Sequence, residues 1–382
     1  MQRGLSAEID LLALSQNLAV ARRLAGNRPV IAVVKADAYG HGAVEVSKRL
    51  VRDGTALLAV AFASEAKELR DSGVTGRILV LFDQDIGDVL AYDLTPVVSS
   101  VKTARELSRE AERKSRTVRI HVKIDTGMGR MGFTGTAVRD VLDIAALRGI
   151  EVEGIMSHFS EADLSDASYA EQQIRQFSAL RAELQKAGMR IPLAHLANSA
   201  ALLALPQSHF DAVRPGLMLY GYSPLERSRD CHGEGLTTVP GSEAEMTTVM
   251  TLKTSLIAVR RVAAGTPISY GRTFITKRQS LIGVMSVGYA DGFTRHFSNN
   301  AWVLIRGRKA PVAGRVCMDL TMVDVTEMAD VAEGDEVVLI GKQGSACLPA
   351  TELAEKAGTI SYEILTSLGR MARRSYRNGM EG

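Results

Sequence analysis

Lys35 follows the apolar, β-branched run Val30-Ile31-Ala32-Val33-Val34 and precedes Ala36-Asp37-Ala38-Tyr39-Gly40-His41-Gly42. Five apolar residues in a row predict a strand buried on both faces, and the Gly/Asp/Tyr cluster predicts the loop leaving it. An amine at that junction has its stem in the core and its head at the mouth. Desolvation there strips the proton, and a neutral lysine can form a Schiff base with an aldehyde cofactor. The alternative at this one position is a lysine that lays its stem along the surface.

Other polar groups follow apolar runs in the same way. Asp125-Thr126-Gly127-Met128-Gly129-Arg130-Met131-Gly132 follows 118–124, Ser157-His158-Phe159 follows 152–156, Asn198-Ser199 follows 192–196, and Arg214-Pro215-Gly216 follows 212–213. Gly127, Gly129 and Gly132 spell the dinucleotide fingerprint GxGxxG. A tight turn that aims the planar fork of Arg130 at a carboxylate fits the neighbouring segments better. Asn198-Ser199 opens a predicted helix, either as a plain cap or as an anion site. Arg214 falls where barrels commonly bind phosphate. His158 and His195 lack any metal-ligand spacing, so no metal is expected. Further on, Ser269-Tyr270-Gly271, Gly288-Tyr289-Ala290-Asp291-Gly292 and Cys317-Met318-Asp319 interrupt apolar strands, and each alone reads equally as a β-turn.

Apolar runs at 30–34, 57–62, 78–82, 95–98, 118–124, 152–157, 192–196 and 212–213 alternate with helical patterns at 43–51, 64–71, 101–113, 137–147 and 169–187. Eight strands alternating with helices over about two hundred residues favour a closed (β/α)8 barrel over an open sheet. The texture changes at 228–245, which reads as a linker. Extended runs at 246–262, 281–287, 302–305, 318–325 and 336–340 follow, and helical pattern returns at 351–356 and 362–373. The expectation is a barrel over 1–235, whose first few residues can pack with the β domain, and a mainly β domain over 236–382.

The 46 basic and 43 acidic residues leave a formal charge of +3, too small to argue for nucleic acid or a membrane surface as partner. No apolar run has bilayer length, and the start lacks the apolar core of a signal peptide. Cys231, Cys317 and Cys347 show no obvious pairing, so a reducing cytoplasm is expected. Arg370, Arg373, Arg374 and Arg377 read as a solvated helix end.

Together, these strings closely resemble the alanine racemase family, pyridoxal phosphate enzymes built from a barrel and a following β domain. The resemblance runs from Val33-Val34-Lys35-Ala36-Asp37-Ala38-Tyr39-Gly40-His41-Gly42 to Thr359-Ile360-Ser361-Tyr362-Glu363. Small departures are Ser6-Ala7 where an aromatic is frequent, Leu320 where an amide is common, and Ser361 where proline is frequent. The resemblance implies an isomerase that interconverts L- and D-alanine and feeds D-alanine to peptidoglycan. A racemase of the same fold acting on serine or a broader set is the alternative, ahead of a non-catalytic cofactor carrier and a decarboxylase.

Carried over residue by residue, the resemblance gives Lys35 two roles, covalent holder of pyridoxal 5'-phosphate and one of two bases. Tyr270 is the other base, reaching the site of a partner in a head-to-tail homodimer. Lys35 then serves the D enantiomer and Tyr270 the L. Arg130 and the Met318 backbone take the substrate carboxylate. Tyr39, Ser199, Gly216 and Tyr362 contact the phosphate, with Asn198 beside them. Arg214 faces the pyridine nitrogen with His195 behind it, and His158 touches the cofactor and supports Tyr270. Lys123, carbamylated in some members of the family, stands behind Arg130, and Asp319 and Tyr289 are supporting residues.

Overall fold

The computed structural model of the chain describes residues 4–82, 85–135, 137–225, 229–232, 236–238 and 245–378. Strand β1 (Ser6–Asp10) leads into the helix Leu11–Ala25. Asp10 caps that helix, accepting the N–H groups of Leu12 and Ala13 at 2.8 and 2.9 Å. Seven parallel strands then pair in chain order: β2 (Ile31–Val33), β3 (Leu57–Val60), β4 (Arg77–Val80), β5 (Thr95–Val98), β6 (Val118–Lys123), β7 (Ile150–Met156) and β8 (Leu193–His195).

Two residues close the ring. Ala212 bridges His195 and Val213 bridges Val30, both in parallel. Ile31 N–H donates to Val213 O at 2.8 Å, and Arg214 N–H to Ala197 O at 2.8 Å. This eighth strand is the weak one in the sequence for a local reason: Pro215 carries no N–H to extend a ladder. The outer helices bury one stripe each. Ala43–Arg52 buries Ala43, Val46, Ser47 and Leu50, and Val101–Arg113 buries Ala104, Leu107, Ser108 and Ala111. Both follow the i, i+3, i+4, i+7 spacing of a helix with one apolar face.

Strands β9 (Arg229–His232), β10 (Leu236–Thr238) and β11 (Glu245–Thr247) form a small antiparallel sheet. The predicted linker at 228–245, and the boundary placed after residue 235, fall largely outside the described residues. Buried Asn17 ties this region to the barrel, donating to Leu219 O and Thr247 O and accepting the Thr247 N–H, all within 3.0 Å.

The β domain is organised around β12 (Met250–Val262), followed by β13 (Pro267–Ile268), β14 (Phe274–Ile275), β15 (Ser280–Met285), β16 (Trp302–Ile305), β17 (Arg308–Pro311), β18 (Thr321–Asp324), β19 (Glu336–Gln343), β20 (Ala346–Leu348) and β21 (Arg373–Arg377). Its main path runs β17-β16-β19-β12-β1-β21, so the strand that opens the described chain lies between two strands of this domain. The helical pattern predicted to 373 stops at Met371, and Arg373–Arg377 extends as a strand instead of a solvated helix end. Cys317 is free but Cys347 is disulfide-bonded, a departure from the expectation of unpaired thiols. Among the described residues no helix is long and apolar enough to cross a membrane, and no cluster could hold a metal ion.

Candidate active site

The carboxyl ends of the barrel strands surround a cavity of about 120 Å³. Lys35, Tyr39, Lys123, Arg130, His158, Asn198, Ser199, Arg214, Gly216 and Tyr362 all line it. They belong to a few local devices, which explain why those residue types occur there.

Lys35 sits directly past β2, where the chain enters a turn of left-handed helix. Ala36, Asp37, Ala38 and Tyr39 have φ of 53°, 57°, 52° and 55°. Side-chain-bearing residues adopt that conformation at roughly 1–2 kcal/mol apiece, so the turn must be held from outside. Glu65 supplies one hold, accepting the N–H groups of Ala36 and Ala61 at 2.6 Å. The Lys35 amine stands 5.5 Å from the centre of the Phe82 ring, and the Arg130 guanidinium stands 5.2 Å from the same ring. Burial lowers the Lys35 pKa; the Arg130 and Arg214 charges push the same way, and Glu65 opposes them.

Asp125 organises the glycine-rich turn. Its Oδ1 accepts the N–H groups of Gly127, Met128 and Gly129, and its Oδ2 accepts that of Arg130. Burial works against the carboxylate, yet these four donors hold its pKa below the usual range. The GxGxxG string is therefore wound around the chain's own carboxylate, and it presents Arg130 to the cavity. Lys123, at the end of β6, is pushed down to about 7 by burial and by Arg214 and Arg130. Four basic side chains around one small cavity make it a receptor for an anionic ligand.

The other end is polar and uncharged. Ser199 Oγ accepts the Gly216 N–H at 2.9 Å, and Asn198 caps the short helix behind it through Ala201 N–H at 3.0 Å. A Cβ on Gly216 would lie 2.3 Å from the Tyr39 hydroxyl, so only glycine admits that phenol. The Tyr39 ring packs on those of Tyr220 and Tyr362, and burial raises the pKa of both Tyr39 and Tyr362, the latter to about 12. Both stay neutral donors.

Behind the cavity runs a chain of hydrogen bonds that the sequence hid. Arg214 donates to His195 Nδ1 at 2.7 Å and to the carbonyls of His195, Ser157 and Leu196. His195 Nε2 lies 2.6 Å from His121 Nδ1, and His121 Nε2 lies 3.3 Å from Glu153 Oε2. Arg77 closes the far end on Glu153. A guanidinium has no acceptor, which fixes every proton: His195 accepts at Nδ1 and donates at Nε2, and His121 does the same toward Glu153. Burial, then the Arg214 charge, pushes His195 well below its ordinary value, and burial lowers His121 too, so both rings are neutral. The His121 and Arg77 hydrogen bonds hold Glu153 at about 2, against the opposing effect of burial. Buried His121 in β6 and half-buried Glu153 in β7 are polar interruptions of apolar runs, the only mark they left in the sequence.

Tyr270, Tyr289, Met318 and Asp319 are not in the cavity. They form a second cluster on the β domain. Tyr289 N–H donates to Cys317 O, Ala290 N–H donates to Met318 O, and Ser269 Oγ donates to Arg315 O at 2.5 Å. Gly288 packs where a Cβ would meet Met318 O at 2.3 Å. Tyr270 is 66% exposed and Met318 54%.

The model of the alanine racemase N-terminal domain matches residues 9–224, and that of the C-terminal domain matches residues 249–376. The chain belongs to the alanine racemase family. The alanine racemase of Thermodesulfovibrio yellowstonii is 46% identical over 380 residues, covering 98% of each chain. That of Halothermothrix orenii is 44% identical over 386 residues, 98% of this chain and 97% of its own. Among solved structures, an alanine racemase of Clostridium difficile 630 superposes with a TM-score of 0.90 at 34% identity, covering 99% and 97% of the two chains. The Bacillus anthracis alanine racemase with bound L-Ala-P gives 0.90 at 33% identity, covering 99% and 96%. The cavity's barrel residues fall in the first family domain, whereas Tyr362 and the exposed tyrosine cluster fall in the second.

Proposed function

We propose that this chain racemises alanine, drawing a proton from one face of Cα and returning one to the other. The observation that carries this reading is the partly buried Lys35 amine, flanked by Arg130 and Arg214 at the mouth of a cationic cavity. Free amino acids hold their Cα proton far too tightly for any side chain at neutral pH. Pyridoxal phosphate, when bound, supplies an aldehyde for the amine and an electron sink for the charge left behind. The residues fit that group: a depressed amine, a polar cradle closed by Gly216, and neutral phenols for an anion.

Each side chain then has one task. Lys35 moves the proton on one face, and its depressed pKa suits it to act as a base. Tyr39, Ser199, Gly216 and Tyr362 hold the phosphate, with Asn198 fixing the short helix beside them. Arg214 donates hydrogen bonds and accepts no proton, so a ring nitrogen held against it would stay unprotonated. Against such a group Arg214 would temper the electron sink it supplies and so favour return of the proton over side reactions. His195 fixes Arg214, and His158, held neutral by burial and the surrounding cations, supports the second base. Arg130, backed by Lys123, receives the substrate carboxylate with the Met318 backbone.

Tyr270 does not line the cavity of its own chain, which supports its reaching the cavity of a second copy. We infer a head-to-tail homodimer in which Tyr270, supported by Tyr289 and Asp319, is the opposite-face base. By its kinship with the alanine racemases, the enzyme would supply D-alanine for peptidoglycan.

Purified protein supplied with pyridoxal phosphate and pure L-alanine should yield both enantiomers on chiral chromatography, and Lys35→Ala should yield none. Faster turnover of L-serine than of L-alanine would select the alternative substrate. An inert, colourless protein would remove the reading.

A further inference from the structure

The left-handed turn that carries Lys35 and Tyr39 is gripped from the far end of the sequence. Strand β21 lies parallel to β1, with Ala7 opposite Arg374 and Ile9 opposite Tyr376. Alternation along the strand puts Arg374 and Tyr376 on its inner face, while Arg373, Ser375 and Arg377 face outward. The Arg374 guanidinium pairs with the Asp37 carboxylate. It also donates to Gly40 O at 3.1 Å and to Gly369 O at 2.9 Å.

The grip reaches both sides of the turn. Asp37 offers its other oxygen to the Ala43 N–H at 2.8 Å, so one carboxylate joins the turn, the next helix and Arg374. A Cβ at Gly40 would lie 2.4 Å from Leu365 O, and one at Gly42 would lie 1.9 Å from the Tyr376 hydroxyl. Both glycines have φ above 80°, so backbone and neighbours demand the same residue. The turn is thus pressed between the helix Ser361–Met371 and β21, and Arg374 spans Asp37, Gly40 and Gly369.

We propose that Arg374 is a positioning residue: it holds four strained residues in the left-handed form and so sets where the Lys35 amine and the Tyr39 phenol enter the cavity. The proposal rests on the reading of Lys35 and Tyr39 as cofactor residues for its catalytic consequence, though not for its structural one. Arg374 itself does not line the cavity. Lysine at this position would keep the charge but lose the fork that reaches two carbonyls as well as a carboxylate.

Arg374→Ala, Arg374→Lys and the outward-facing control Ser375→Ala should be compared with the parent. Hydrogen exchange of the peptide spanning 35–42, measured without cofactor, should speed up at least tenfold in Arg374→Ala and less in Arg374→Lys, with peptides of β4 and β5 unchanged. Pyridoxal phosphate affinity should weaken about tenfold in the same order, kcat should fall more than KM changes, and Ser375→Ala should match the parent throughout. If Arg374→Ala does not fold, Arg374→Lys decides the matter. Parental exchange and parental cofactor affinity in whichever variant folds would overturn the proposal. Should the parent itself bind no pyridoxal phosphate, the functional reading fails, while the exchange rates still judge the grip.

Discussion

The cavity at the barrel mouth and the tyrosine cluster on the β domain are opposites in environment. Around Lys35, burial and packed cations displace nearly every titration: the lysines fall, the histidines become neutral and the phenols rise. Around Tyr270, the backbone is tightly tied by Ser269, Gly288 and Arg315, yet the side chains stand in solvent. One region is electrostatically finished within a single chain. The other has its backbone tied in place but leaves its phenol 66% exposed. A rigid, exposed phenol is what a group lent to a neighbouring molecule should look like.

The hardest test of that contrast separates the two halves. Lys35→Ala and Tyr270→Phe should each lose racemisation by roughly 10²–10⁴-fold, the usual worth of a positioned acid–base group, with Lys35→Ala the more severe because it also loses the covalent hold. Tyr270→Phe should still exchange the Cα proton of D-alanine in deuterated water, seen by NMR, while failing to make L-alanine. Mixing and reassociating the two inactive variants should restore about a quarter of parental activity. Half of a random mixture is hybrid, and each hybrid dimer carries one intact site of two. No restoration would confine both residues to the same chain's site.

Smaller effects sharpen the barrel side. Gly216→Ala forces the Tyr39 hydroxyl away, and pyridoxal phosphate affinity should drop about tenfold by fluorescence titration, in line with the usual 1–3 kcal/mol of overpacking. The smallest effect concerns Glu153. Its folded pKa, about 2, lies below the ordinary 4.5, so its contribution to stability is present above pH 4.5 and disappears as the pH falls through 2. Glu153→Gln should flatten that part of the pH–stability curve, measured by urea unfolding between pH 5 and 2. A parallel loss in both proteins would exclude Glu153 from the chain behind Arg214.

The sequence was most readable where chemistry interrupts an apolar run. Lys35, Arg130, Asn198-Ser199 and Arg214 each follow a buried strand, and strand ends are where a barrel exposes its groups. His121 and Glu153 were hidden for the opposite reason. They sit within strands, and pairing across three strands is invisible along one. Arg374 was misread outright. In Arg373-Arg374-Ser375-Tyr376-Arg377 every residue has a polar end, so hydropathy carries no period of two to betray a strand with an inner face. The eighth barrel strand was legible only as a remnant, because two residues and a proline give almost no pattern.

The pairing of Asp37 with Arg374 spans 337 residues. A ribosome adding 5–20 residues per second reaches the arginine roughly 15–70 s after the aspartate. During that interval the barrel can assemble and Glu65 can take the Ala36 N–H, but the segment that carries Lys35 still lacks the hold from Arg374. The grip on the turn is therefore completed only once translation has passed β21, the last of the described strands.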